Sequence, residues 1–334
     1  MTESYGLPYT GSKSRIAHWV IDNLPRGRVL IDAFAGGCAI THRALLSQKW
    51  QTIIANDING KYPQLFLDAV NGKYRDERRW ISREDFERLK SQDAFVACCW
   101  SFGNDLVSYM YSKDIEPYKR ALHYAIVFND FGPMQELMPE VAQAVADALH
   151  GQNNLHDRRI TAHKIIVKTL KRLAGNNYAH SIIQSNPLYQ SIRHTSRKGA
   201  PSLQCLQSLQ SLERVQSLER LERLERLQSL ERPESLFVTS QSYDEIDIPD
   251  DAVVYCDPPY HASNKPFYEG TARGFDHGAF YDWCVRVSKT NPIFISEYSI
   301  EDDRFEVVAE KSKMTSMSAK KSFNVTERLY TVKK

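Results

Sequence analysis

Val253-Val254-Tyr255-Cys256-Asp257-Pro258-Pro259-Tyr260 brings an apolar run to an acid, two prolines and an aromatic. In open α/β sheets ligands bind beyond the carboxyl ends of strands, so the residues that follow such a run stand where chemistry is done. The Asp257 carboxylate can accept a hydrogen bond from an amino group. Pro258 and Pro259 fix φ and lack a backbone N–H, which holds their carbonyls stiffly; that of Pro258 can accept a second amino hydrogen. Tyr260 offers a flat face for stacking on a ring. Together these residues recognise a planar ring that carries an exocyclic amine. A strand ending in an Asp-Pro-Pro turn also suits many folds with no such ligand.

A second constellation, Asp32-Ala33-Phe34-Ala35-Gly36-Gly37, follows another apolar run. Its glycines let the backbone turn tightly and approach a ligand closely. Many nucleotide-binding folds use a glycine pair after a strand. The full G-x-G-x-x-G pattern is absent, which counts against a dinucleotide dehydrogenase. Asp57, twenty residues after Gly37, ends the next apolar run. A carboxylate there can accept both ribose hydroxyls of an adenosine, or it can cap the following segment. Near the N-terminus stands Pro8-Tyr9-Thr10-Gly11-Ser12-Lys13. Read alone, Lys13 is a basic residue in a first helical turn.

The spacing predicts the elements that must position these residues. Ile16, Trp19, Val20 and Leu24 share one side of a helix over Ser12 to Leu24, with Ser12 as N-cap. Arg28 to Phe34 reads as a buried strand, the segment through Gln48 as a helix, and Thr52 to Asn56 as a second strand. Strand, glycine turn, helix, strand is a βαβ pattern and implies a parallel sheet. After Pro233 the α/β character returns. Ala252 to Cys256 and Pro292 to Ser296 read as strands, Phe275 to Lys289 as a helix with Asp276 near its start, and Phe305 to Val332 as an antiparallel pair. The expectation is one α/β domain from residues 1–60 and 236–334, interrupted by a mostly helical insertion over 61–235.

Within the insertion, Leu203, Leu206, Leu209, Leu212, Val215, Leu218, Leu221, Leu224, Leu227 and Leu230 recur every three residues, separated mostly by Gln-Ser or Glu-Arg. A period of three drifts by ~60° per triplet on a helix of 3.6 residues per turn, so a straight helix cannot seat the whole row on one flat partner. The expectation over 203–232 is an arm that wraps around something, an irregular extended arm or a disordered segment, set against an expanded linker of little chemical consequence.

The chain has 334 residues, 42% apolar and 25% charged, a globular profile with no apolar run of bilayer length. Met1 to Tyr9 shows no signal pattern, so a cytoplasmic location is expected. Cys38, Cys98, Cys99, Cys205, Cys256 and Cys284 form no C-x-x-C pair, and free thiols are expected rather than a zinc site or a disulfide framework. The net charge of +2 hides two basic clusters. Residues 151–201 carry nine Lys/Arg against Asp157, and residues 311–334 carry seven against Glu327. Such clustering suggests contact with a polyanion. In the first cluster, Ile160 to Leu173 reads as a basic amphipathic helix. Arg158, Arg159, Lys164, Lys168, Lys171 and Arg172 are its candidate phosphate contacts.

The Asp257–Tyr260 tetrapeptide, the Asp32–Gly37 loop and the Pro8–Lys13 motif together resemble the Dam-type (D12 class) N6-adenine-specific DNA methyltransferases. The resemblance extends to Trp100-Ser101-Phe102-Gly103-Asn104, to Phe294-Ile295-Ser296-Glu297-Tyr298 and to Glu327-Arg328-Leu329. It covers roughly 1–125 and 236–334. The order of cofactor loop, insertion and catalytic tetrapeptide is similar to that of the α group, in which the insertion reads the DNA target. Two departures stand out. Ser242-Tyr243 lies where relatives often carry an acid before the tyrosine, and the leucine triplets have no counterpart in the Dam enzyme.

The resemblance implies a Rossmann-like S-adenosylmethionine-dependent methyltransferase sheet with an inserted helical target-recognition region. It implies a cofactor site of Tyr9, Lys13, Asp32, Phe34, Gly36, Gly37, Asp57 and Asp257, and a catalytic set of Asp257, Pro258, Pro259 and Tyr260. Double-stranded DNA is the implied partner, with a companion restriction enzyme as the usual setting and a monomer or weak dimer as the expected state. No metal and no cysteine nucleophile is required. The competing readings are transfer to another amino group (cytosine N4, an RNA adenine or a protein amide) and a DNA-binding relative without activity.

Overall fold

A computed structural model describes residues 4–174, 215–230, 233–260, 274–318 and 321–334. In chain order the elements begin with α1 (Ala17–Asn23), β1 (Val29–Asp32), α2 (Ala39–Ser47), β2 (Thr52–Asn56) and α3 (Lys61–Val70). Six helices follow: α4 (Arg83–Leu89), α5 (Ala94–Trp100), α6 (Glu116–Phe128), α7 (Gly132–Leu137), α8 (Pro139–Leu149) and α9 (Leu155–Ala174). After α10 (Gln216–Leu227) come β3 (Leu236–Thr239), β4 (Val253–Cys256), α11 (His277–Val287), β5 (Ile293–Glu297), β6 (Phe305–Ser318) and β7 (Lys321–Val332). Two compact units emerge: Met1–Arg75 with Leu224–Lys334, and Asp76–Arg223.

The first unit is built on a seven-stranded sheet of order β3-β2-β1-β4-β5-β7-β6. The first five strands pair in parallel. β7 enters antiparallel between β5 and β6. This is the Rossmann-like arrangement expected. Every residue of β1 and β4 is buried, as parallel strands covered on both faces require. Val254, Cys256, Ile293 and Ile295 pack with Phe280, Trp283 and Cys284 of α11. The chain runs β1 to β2 to β3 on one side and crosses to β4 and β5 on the other. The switch point therefore lies between β1 and β4, where such sheets bind ligands.

Several boundaries differ from the sequence expectation for local reasons. Ser12 does cap, accepting from Ser14 N–H at 3.3 Å, but the turn it starts is a 3₁₀ turn over Lys13–Arg15, and α1 begins only at Ala17. Asp276 caps α11 through Ala279 N–H at 2.9 Å. β3 was not expected. Its four residues mix buried, half-buried and exposed positions at the sheet edge, so they show no clear alternation.

The second unit is helical among its described residues. The leucine triplets from Val215 onward lie in and around α10; Val215, Leu218 and Leu221 fall in this unit and Leu224, Leu227 and Leu230 in the first, and all six are buried. This corrects the expectation of an irregular arm for this part of the repeat. Drift of ~60° per triplet moves the row through about half a turn over so short a helix, so a broad arc is buried instead of a stripe. Polar residues between the leucines are used as well. Arg220 donates to Cys98 O at 2.7 Å and Asn104 Oδ1 at 2.6 Å, and Ser217 Oγ accepts from the Tyr111 hydroxyl at 3.1 Å. The triplets before Val215 lie outside the described residues.

Candidate active site

Three strands of the first unit end at one edge of its sheet, at Asp32, Asn56 and Cys256. Asp32 stands opposite Tyr255 in the parallel register, and Ala33 N–H donates to Tyr255 O at 2.9 Å. The Gly36-Gly37 turn and the Asp257–Tyr260 segment therefore leave adjacent strands within a few residues of each other. The buried Asn56 fixes this edge. Its Nδ2 donates to Ala33 O at 3.1 Å and Gln241 O at 3.0 Å, and its Oδ1 accepts from Thr239 Oγ1 at 2.8 Å.

Lys13, Asp257, Tyr260 and Glu327 meet here. Lys13 Nζ lies 2.7 Å from Asp257 Oδ1, 3.8 Å from Glu327 Oε1 and 4.4 Å from the centre of the Tyr260 ring. The Tyr260 hydroxyl donates to Glu327 Oε1, and its ring meets Tyr298 edge-on at 4.7 Å. Burial, with Asp257 and Glu327 nearby, pushes the Tyr260 phenol well above its ordinary range, so it stays a hydrogen-bond donor. Pro258 is buried, and Pro259 and Tyr260 are half-buried.

The glycine turn is held from two sides. Gly36 N–H donates to Asp57 Oδ2 at 2.9 Å, and Asn59 N–H to Asp57 Oδ1 at 2.8 Å. Asp57 thus caps the loop. Burial raises its carboxyl, and these two bonds oppose the rise. Tyr9 covers the glycines: a Cβ on Gly37 would lie 2.5 Å from Tyr9 Cβ, so the missing side chain is needed for this packing. Phe34 stacks on Tyr243 with ring centres 5.7 Å apart and meets Phe280 edge-on at 5.6 Å.

Asp32 is 1% exposed; its Oδ2 accepts from Thr41 N–H at 3.1 Å and Thr41 Oγ1 at 2.6 Å. Its Oδ1 is buried with no hydrogen-bond partner among the described residues. Burial pushes this carboxyl from an ordinary 3.8 up to about 7; Thr41 opposes the shift, and the Asp257 and Asp57 charges add to it. Between those two values the folded chain holds a proton that the unfolded chain has lost. Stability therefore falls as pH rises from about 4 to about 7, by on the order of 4 kcal/mol from this group. Asp32→Asn is expected to remove that slope. Denaturant melts of both proteins at pH 5 and pH 8 check it, and parallel curves would deny Asp32 the shift.

The basic residues of the second unit divide. Arg158 is buried and donates to Ile126 O at 2.6 Å, Ala125 O at 2.9 Å and Gln152 O at 2.9 Å. It ties helix ends together, which corrects its expected place among the phosphate contacts. Arg159 is paired with Glu222 at 2.6 Å and Glu219 at 3.1 Å. Lys164 and Lys168 are exposed on α9. The side chains of Lys171 and Arg172, and all of Arg193, Arg197 and Lys198, lie outside the described residues.

Sequence reasoning named Asp257 and Tyr260 but gave Glu327 no role, and it missed Asn56, Thr41 and Tyr243 as supports. Glu327 stands 70 residues after Asp257 on β7, a separation that carries no local signal. No curated protein matches this chain. The model of the family described as D12 class N6 adenine-specific DNA methyltransferase matches residues 9–127 and takes in Tyr9, Lys13, the Asp32–Gly37 turn and Asp57, ending before Asp257. Over that span the chain is similar to the D12 class of N6 adenine-specific DNA methyltransferases.

Proposed function

We propose that the protein moves the methyl group of S-adenosylmethionine to the N6 amine of an adenine turned out of duplex DNA. The observation that carries this reading is the shared sheet edge from which the Asp32–Gly37 turn and the Asp257–Tyr260 segment depart. The residues suit a cationic donor. Asp32 keeps a buried acceptor oxygen with no hydrogen-bond partner among the described residues, the neighbouring cluster holds the carboxylates of Asp257 and Glu327, and Phe34 with Tyr243 offers an aromatic surface. Asp57 and the Gly36–Gly37 backbone would hold the nucleoside end, Phe34 the ring, and Asp32 the charged end. When bound, the donor supplies an electrophilic methyl on sulfur.

The N6 lone pair of adenine is delocalised into the ring and is a poor nucleophile. Hydrogen bonds from the amine to Asp257 and to the Pro258 carbonyl favour a more tetrahedral nitrogen, whose lone pair is then available for attack. Positioning and electrostatics supply most of the rate. Extruding the base costs a few kcal/mol, and stacking on Tyr260 offsets ~1–3 kcal/mol of it. In the test, labelled donor is incubated with duplex DNA, RNA and protein, and the products are digested to nucleosides. Label in N6-methyladenine from duplex DNA supports the reading. Label in N4-methylcytosine, RNA or protein, or donor binding without turnover, overturns it.

The same proposal gives target reading to the second unit in the α-group order and places the protein in the cytoplasm, as a monomer or weak dimer beside a restriction enzyme. No helix among the described residues is long and apolar enough to cross a membrane. Neutralising Lys164, Lys168, Lys171 and Arg172 together is expected to weaken DNA binding. The slope of log K against log salt should flatten by about 0.9 for each phosphate that the variant no longer neutralises. An unchanged slope would place the phosphates elsewhere.

A further inference from the structure

Lys13 occupies both groups assigned to the incoming adenine. Its ammonium lies 2.7 Å from Asp257 Oδ1 and 4.4 Å from the centre of the Tyr260 ring. For the amine to use Asp257 and the base to use Tyr260, Lys13 must give up part of that position. Its side chain is only 11% exposed. A buried ammonium left without an anion is strongly unfavourable, and a second anion within reach lets it move and stay paired.

Glu327 meets that need. Its side chain is 0% exposed, and its Oε1 lies 3.8 Å from Lys13 Nζ. The same oxygen accepts the Tyr260 hydroxyl. The carboxylate sits on β7, whose pairing with β5 sets Arg328 opposite Glu297, so a rigid strand holds it. One carboxylate thus fixes the outer end of the tyrosine and offers Lys13 a second partner.

We propose that Glu327 is a positioning residue, which anchors Tyr260 by its hydroxyl and receives Lys13 as Asp257 engages the target amine. The inference rests on the adenine-N6 reading above and adds to it a handover of charge between two carboxylates. Glu327 need not touch donor or base for this role.

The test compares wild type, Glu327→Gln, Glu327→Gln with Lys13→Met, and Asp257→Ala, on duplex DNA with labelled donor. Glu327→Gln keeps an acceptor for Tyr260 and removes the charge. Its kcat/KM for DNA is expected to fall by about 10- to 100-fold, with the donor Kd and the thermal midpoint kept. Adding Lys13→Met, assayed with donor at saturation for that variant because Lys13 also belongs to the implied donor site, is expected to recover part of the loss, because the competing ammonium is gone. Wild-type kcat/KM in Glu327→Gln overturns the proposal, as does a double variant no better than the single one. A loss matched by equal loss of donor affinity and stability marks a merely structural residue and also overturns it. If Glu327→Gln does not fold, Glu327→Asp carries the test: it keeps the charge one methylene back, and lowered kcat/KM with unchanged donor Kd supports the proposal, while unchanged kcat/KM overturns it. Asp257→Ala separates the two layers. Activity retained there defeats the adenine-N6 reading itself, whereas an inactive Asp257→Ala beside a fully active Glu327→Gln defeats only the role of Glu327.

Discussion

Asp257→Ala is expected to lower single-turnover methyl transfer by about 10³-fold or more while donor affinity changes little. In the proposed mechanism Asp257 accepts the amine, and its removal takes away an interaction that strengthens as the nitrogen becomes tetrahedral. The protein should survive the change, because Lys13 retains Glu327 at 3.8 Å. Quenched-flow transfer with saturating donor and DNA makes the measurement, and a variant as fast as wild type would remove Asp257 from the chemistry.

Gly6→Ala is expected to be the most damaging small substitution away from the catalytic cluster. Gly6 has φ +67°, and a Cβ there would lie 2.3 Å from Gly37 O, 2.6 Å from Ala39 N and 2.8 Å from Ala39 Cα. All three are backbone atoms, so no rotamer relieves the overlap. The left-handed conformation adds ~1–2 kcal/mol for a residue with a side chain. The neighbouring Leu7 N–H donates to Gly37 O at 2.7 Å, so the strain falls on the turn assigned to the donor. The expected result is a loss of about 3 kcal/mol or more in denaturant melts, with weaker donor binding in whatever remains folded. Wild-type stability would mean that the N-terminal segment does not pack on the Gly37 turn.

The parallel core was legible because β1, β2, β4 and β5 are short apolar runs ended by polar residues. That pattern located Asp57 and Asp257 at strand ends without any structure, whereas the strand expected over Arg28 to Phe34 ends earlier, at Asp32. The supports of the site were harder to see. Asn56 looks like any strand-terminal polar residue, yet its side chain joins the ends of β1, β2 and the segment after β3. Tyr243 reaches Phe34 from more than 200 residues away, and Glu327 reaches Lys13 from more than 300. Neither meeting follows from spacing along the chain; both follow from strand order. The basic residues show the opposite error. Charge counting placed Arg158 and Arg159 with exposed lysines, but one is buried on carbonyls and the other is held by Glu222. The leucine row misled for a geometric reason: a drift that rules out a long flat contact is harmless over the twelve residues of α10.

A crystal structure with the demethylated donor product and a short duplex tests the central claim most directly. The account predicts the product on the Gly36–Gly37 turn beside Phe34, and an extruded adenine whose amine contacts Asp257, with Lys13 drawn toward Glu327. Product bound away from that turn, or an adenine whose amine lies far from Asp257, would contradict it.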